Sequence, residues 1–198
     1  MKRRRLLAAS GLGFCGSLAG CLSRFNLHCP RPWLTEELPF EAYTPDHPLW
    51  ATSFQTEEAV RLFTAAGDVD EQHDTIKTFV AEHDTEVEGF EADRSWLLET
   101  DFDEESVIAF QLVDRAPASG DSFSIRWIEQ TDTTITVVTC LPSTAGHFGL
   151  ASFHKLLRIE HRAAPRMGKV TLAHPSGGER TIRTDGTVTD DPPSITPF

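Results

Sequence analysis

The feature that most restricts what this chain can fold into is a pair of β-patterned runs separated by a short polar turn. Ser122 to Glu129 alternates, placing Phe123, Ile125 and Trp127 on one face, and Thr134 to Thr139 is an unbroken β-branched run. Thr131-Asp132-Thr133 lies between them, so the two runs predict a hairpin. Further strand signals follow this pattern. Val107 to Phe110 is a short apolar run of the kind a buried strand carries. Leu156, Leu157 and Ile159 predict another strand, as do Val170, Thr171 and Leu172, and Pro175 to Gly178 turns the chain toward Thr181 to Arg183. Ahead of these strands, Ala59, Val60, Leu62 and Phe63 fall at helical spacing within Thr56 to Ala66. Ile76, Phe79 and Val80 form the apolar face of a second predicted helix, Glu71 to His83. Trp96-Leu97-Leu98 reads as a lead-in to the first long strand. The expected fold is therefore α+β, mainly β: a small antiparallel β-sandwich-like domain preceded by two short helices. It occupies 49–184 as a single domain. Residues 21–48, with Pro30, Pro32, Pro39, Pro45 and Pro48, read as a tether against which Trp33 and Phe40 can dock. Residues 185–198 read as a disordered polar, Pro-rich tail.

The N-terminus has a different character. Lys2, Arg3, Arg4 and Arg5 precede an apolar stretch from Leu6 to Leu22 that is diluted by Ser10, Gly11, Gly13, Gly16, Ser17 and Gly20. A membrane-crossing helix needs about 20 strongly apolar residues. A charged start, a short apolar centre and small residues before a cleavage point instead describe a signal peptide, residues 1–20. Arg3 and Arg4, followed by Leu6-Leu7, resemble the twin-arginine export signal. Leu18-Ala19-Gly20-Cys21 resembles a lipobox, in which the Cys21 thiol takes a diacylglycerol-type lipid and the small residues before it fit the processing peptidase. Cys15 lies inside the apolar stretch and would leave with the peptide. The implied location is the extracytoplasmic face of the cell membrane, with the chain held there by its lipid anchor.

Charge points to a habitat and excludes a class of partner. The chain has 18 Lys+Arg against 30 Asp+Glu. Four of the cations and none of the acids lie in residues 1–20, so the mature part carries 14 against 30, a net −16. After processing, Lys77, Lys155 and Lys169 are the lysines that remain, and Asn26 is the sole asparagine. Self-repulsion of this size is tolerable where salt screens it, the Debye length being about 3 Å at 1 M. The composition resembles that of extremely halophilic archaea. Nucleic acid is an unsuitable partner, since phosphate recognition needs a cationic footprint and no basic run exists outside the signal peptide.

Thr100 to roughly Leu172 resembles the PrcB C-terminal-like β domain of bacterial and archaeal surface proteins. The resemblance is carried by Asp101-Phe102-Asp103, Val107 to Val113, Ser119-Gly120-Asp121-Ser122-Phe123-Ser124-Ile125, Thr134 to Leu141, Pro142, and Leu156 to Glu160. The family's Gly-Gly-Tyr turn is replaced here by Gly120-Asp121-Ser122-Phe123, and Phe153-His154 stand where a proline is usual. The resemblance implies a small β-sandwich and contact with other proteins, and it supplies no catalytic residues.

Motifs of catalysis and metal binding find little support. Gly11-Leu12-Gly13-Phe14-Cys15-Gly16 matches a dinucleotide fingerprint only as a string, within the signal peptide. Ser152-Phe153-His154-Lys155 matches Ser-x-x-Lys without the companion motifs of acyl enzymes. His147, His154 and His161 recur every seven residues and His73 and His83 flank the second helix, but none has zinc-motif spacing, and they read as surface histidines. Asp68-x-Asp70 and Asp101-x-Asp103 lack the glycine and distal glutamate of a calcium loop. Cys29 and Cys140 are candidates for a disulfide outside the cell; the alternative is that Cys140 is a plain buried residue. No cofactor, metal or small-molecule substrate is indicated. The leading expectation is a non-enzymatic surface lipoprotein that binds or modulates another envelope protein. The competing one is a metal-dependent or hydrolytic envelope enzyme using the histidines and acids.

Overall fold

In chain order the elements are β1 (Phe40–Tyr43), β2 (Ala59–Phe63), α1 (Ala66–Glu82), α2 (Phe90–Leu98), β3 (Glu105–Pro117), β4 (Ser124–Thr131), β5 (Thr134–Cys140), β6 (Phe148–Glu160), β7 (Met167–Ala173), β8 (Glu179–Arg183) and β9 (Val188–Asp191), with a 3-10 turn at Pro48–Trp50. The computed structural model describes residues 37–51, 58–83, 87–117, 123–140, 148–173 and 178–191, with backbone alone at 114–117, 148–151 and 191.

The apolar run Val107 to Phe110 sits in the strand that organises the molecule. β3 pairs antiparallel with β6 from Glu105↔Glu160 to Pro117↔Phe148. These two strands are the centre of a four-stranded sheet ordered β1-β6-β3-β2, which faces a five-stranded sheet ordered β4-β5-β7-β8-β9. Ile108, Phe110, Leu157 and Ile159 point into the space between the sheets, where they meet Ile128, Ile135, Val137, Val170, Leu172 and Ile182. Val107, Ala109 and Leu156, one residue out of phase, point the other way and pack on Trp50, Phe63, Val69, Ile76, Phe90 and Leu97. The first sheet is thus buried on both faces, which explains why Val107 to Phe110 is continuously apolar and does not alternate. Fully burying such a side chain contributes about 1.5–3 kcal/mol, so these two layers of contact dominate cohesion.

The fold class is as the pattern requires: mainly β, two helices and a two-sheet sandwich. The expected hairpin is β4–β5, closed by Asp132-Thr133, with Asp132 at φ 52°. A bulge between Ile125 and Trp127 re-phases β4. Phe123 and Ile125 pack on the core, but Ile128 continues that face, and Trp127 turns to the other side of the sheet. β7 and β8 form the second expected hairpin, its turn at 174–177 lying outside the described residues. One pairing departs from a purely antiparallel sandwich. β5 and β7 are parallel, because the chain crosses to the other sheet as β6 between them.

Five local readings change. Ala59–Phe63 is an edge strand and not part of a helix, while residues 52–57 of that predicted helix lie outside the described residues. Val60 and Leu62 face the second sheet and Phe63 the helices, so both faces are apolar and the run mimics helical spacing. The helix expected from Glu71 begins five residues earlier, at Ala66, where the Asp68 carboxylate reaches back to accept from Thr64 N at 2.7 Å and Ala65 N at 3.0 Å. Trp96-Leu97-Leu98 ends a second helix, α2, whose N-cap is Gly89 in the left-handed region, φ 77°. Within the stretch read as tether, Phe40–Tyr43 is β1, paired with β6, and Leu38 is buried in the core with its N–H on Ile128 O. Within the stretch read as disordered tail, Val188–Asp191 is β9, paired with β8.

Arg158 of β6 locks the helical layer to the sheet. Its Nη2 donates to Trp96 O at 2.6 Å, its Nε to Thr100 Oγ1 and its Nη1 to Glu41, and the guanidinium lies 4.3 Å from the Trp96 ring centroid. A cation on a carbonyl in the last turn of α2 also suits the helix dipole.

Candidate functional site

Among the described residues β2 has a neighbour on one side only. It pairs with β3 and forms one edge of the four-stranded sheet, β1 being the other. An open groove of about 1280 Å³ runs along that edge to the β8–β9 hairpin. Its apolar surface includes Val60, Leu62, Ile182 and Val188, the last 47% exposed.

The groove is lined by four arginines and three acids, the reverse of the chain's overall balance. Each acid is already engaged. Glu58 pairs with Arg180 at 2.7 Å and accepts from Val113 N at 3.1 Å, while Arg180 Nη2 donates to Val113 O. These two side chains satisfy the β3 backbone just beyond the end of β2 and clasp one sheet to the other. Asp68 caps α1. Asp185 accepts from Thr187 N at 2.9 Å, and its bonds to Thr187 hold its carboxyl below the usual range, with Arg183 adding to the effect. Arg61, Arg166 and Arg183, by contrast, make no side-chain hydrogen bond or ion pair among the described residues. Burial pushes the Arg61 guanidinium below its ordinary pKa, against a weaker pull from Glu71 and Asp68. The sequence hid this site because its arginines are isolated and far apart; the signal was a cation excess visible only once β2, β7 and β8 converge.

A second polar cluster lies beneath the helices. Asp93 is 3% exposed and accepts from Tyr43 Oη at 2.8 Å and Trp50 Nε1 at 3.2 Å. Burial raises its carboxyl pKa, the two hydrogen bonds opposing that rise. The bond to Asp93 pushes Tyr43 up to about 12. His73, read as a surface histidine, is buried, stacked on Phe90 at 4.9 Å with Nε2 3.2 Å from Glu91. Asp93 and His73 are buried while Tyr43 is part-buried and Glu91 exposed, and the bonds among them tie β1 and the 3-10 turn to the helices, so this cluster is a packing element of the helical layer.

The remaining sequence candidates fall apart in space. Ser152 and Lys155 lie on opposite faces of β6: Ser152 Oγ accepts from Gln111, and Lys155 Nζ donates to Thr44 Oγ1. His154 contacts Pro45 O at 2.9 Å, His161 follows the end of β6, and His147 lies outside the described residues. Asp70 pairs with Arg94 at 2.8 Å, and Asp101 accepts from Asp103 N within its own turn. Among the described residues no group of three or more His, Cys, Asp or Glu is placed to hold a metal ion. Arg3, Arg4, Cys21 and Cys29 lie outside the described residues. Cys140 is fully buried at the end of β5, beside Ala173, and is disulfide-bonded, its partner lying outside the described residues. No helix among the described residues is long and apolar enough to cross a membrane.

No protein-family model, no curated protein and no solved structure matches this chain.

Proposed function

We propose that the chain is an exported lipoprotein, held at the outer face of its membrane by a diacyl-type lipid on Cys21, and that its β domain is a non-enzymatic binding module for another envelope protein. The N-terminal pattern of Arg3, Arg4 and Leu18 to Cys21 supports the address, and two acyl chains suffice for stable anchoring where one does not. The single observation that carries the binding reading is the open groove along the unpaired edge of β2. An unpaired edge offers backbone donors and acceptors to a second chain, and natural sheets usually cover or charge such edges. The PrcB-like resemblance of Thr100 to Leu172 points the same way, since its implication is contact with other proteins. In this reading Cys140 is bridged to Cys29, because Cys15 leaves with the signal peptide and Cys21 carries the lipid. The bridge staples the lead-in from the membrane to the end of β5.

The test is site-specific photo-crosslinking in native membranes at high salt. A crosslinker at Val188, in the groove, is expected to yield one discrete adduct, and one at Leu98, exposed on the helical layer, none. Equal yields from both positions, or no adduct from Val188, would reject the groove as the docking site.

A further inference from the structure

We infer that the groove takes an extended acidic segment of a partner protein, added to β2 as a further strand with its carboxylates on Arg61, Arg166 and Arg183. This rests on the reading of the domain as a binding module and adds the chemistry of what it binds.

The backbone sets the shape of the ligand. Across the β2–β3 ladder, alternate β2 residues turn their N–H and C=O away from β3. Those outward groups make no backbone bond to another element among the described residues. The free edge is 5 residues long, Ala59 to Phe63, which suits a short extended segment.

The side chains set its composition. Val60 and Leu62 lie on the sandwich side of the sheet and Arg61 on the helical side. A strand laid beside β2 has the same period of two. Its residues therefore alternate between an apolar neighbourhood of Val60, Leu62 and Val188 and a cationic one at Arg61. Arg166 and Arg183, the two other arginines without ion pairs among the described residues, also line the groove. Glu58, Asp68 and Asp185 are hydrogen-bonded internally, and the carboxylates near Arg61 and Arg183 act on them without closing an ion pair among the described residues, so the groove has guanidinium donors to offer. A guanidinium fork matches a carboxylate in two parallel bonds. High salt removes long-range repulsion between two acidic proteins, while a pair with the part-buried Arg61 or Arg183 is screened less than one with the exposed Arg166. An anionic glycan could use the arginines but would leave the strand edge and Val188 idle, so a peptide fits more of the site.

The experiment uses the full chain at high salt with three probes: a hexapeptide alternating Val and Asp, its Val–Asn counterpart, and an oligogalacturonate. Calorimetry measures affinity and hydrogen exchange locates the site. The Val–Asp peptide is expected to bind and to slow exchange at Ala59 to Phe63. The Val–Asn peptide should bind about tenfold more weakly or worse, and Arg61→Gln and Arg183→Gln should each weaken the Val–Asp peptide by about tenfold, with a smaller loss for the exposed Arg166→Gln. Equal binding of the two peptides overturns the inference without depending on any variant. So does protection that falls elsewhere than β2, or binding of the oligogalacturonate alone with β2 exchange unchanged. A crosslink from Val188 to an uncharged partner segment would keep the binding module and discard the acidic ligand.

Discussion

Replacing Tyr43 with Phe deletes one hydroxyl from the helical layer and leaves the ring stacked on Trp96, 5.2 Å between centroids. That hydroxyl donates to the buried Asp93 carboxyl at 2.8 Å, and Trp50 Nε1 is the other side-chain donor. A hydrogen bond to a charged group contributes about 1.5–3 kcal/mol, and one between neutral groups about 0.5–1.5 kcal/mol. The loss should therefore be about 2 kcal/mol where Asp93 is ionised, lowering Tm by roughly 4–8 °C, and shrink to about 1 kcal/mol where it is protonated. Burial raises the folded-state pKa of Asp93, so the native protein takes up this proton at higher pH than the unfolded chain. Asp93 by itself thus contributes stability that is complete below its unfolded pKa and is lost as pH rises through its folded pKa. Glu91 and Asp185, whose carboxyls are held low, act in the opposite sense. Urea unfolding of wild type and Tyr43→Phe at high salt, on either side of the Asp93 titration, measures the difference directly. Tyr43 is the only tyrosine, so its tyrosinate absorbance gives an independent reading. Asp93→Asn should bring that titration down from about 12 toward the ordinary value of about 10. A loss below about 0.5 kcal/mol at both pH values, or one that does not change with pH, would refute the charge-assisted bond.

Arg158→Lys keeps the charge but breaks the fork shared by Trp96 O, Thr100 and Glu41, and should cost about 1–3 kcal/mol in thermal melts; an unchanged melt would mean the helical layer is held by apolar contact alone. With 30 Asp+Glu against 18 Lys+Arg, near-UV circular dichroism is expected to collapse when salt is withdrawn, and a full spectrum without added salt would dispose of the halophile reading. Non-reducing peptide mapping should recover a Cys29–Cys140 crosslinked pair, and reduction should lower stability by about 2–4 kcal/mol; recovery of Cys29 as a free thiol would remove the staple.

Much of the sandwich was legible along the chain because its signals are local. β-Branching at Thr134 to Thr139, the Asp132-Thr133 turn and the Pro175 to Gly178 punctuation act within a few residues, and β4, β5, β7 and β8 formed where these signals lay. The misread elements depend on partners distant in sequence. Ala59 to Phe63 and Phe90 to Leu98 belong to a sheet and a helix whose apolar faces are defined by each other, so neither period stands out in isolation. β1 and β9 are short edge strands with exposed or mixed residues, made strands by the pairing available at β6 and β8. The bulge after Ile125 likewise reflects the surface β4 must cover and leaves no mark in its alternation.

The candidate site divides in the same way. Sequence alone determined the composition: few lysines, scattered arginines, an excess of acid, and a block of four cations, Lys2 to Arg5, ahead of an apolar stretch. Which arginines lack a carboxylate is a property of three-dimensional placement. Arg61, Arg166 and Arg183 come together because β2, β7 and β8 pack at one end of the sandwich, while Glu58, Asp68 and Asp185 are drawn into a clasp, a helix cap and a turn. Charge sums over the chain, but pairing depends on distances of a few ångströms, and only the tertiary structure decides those.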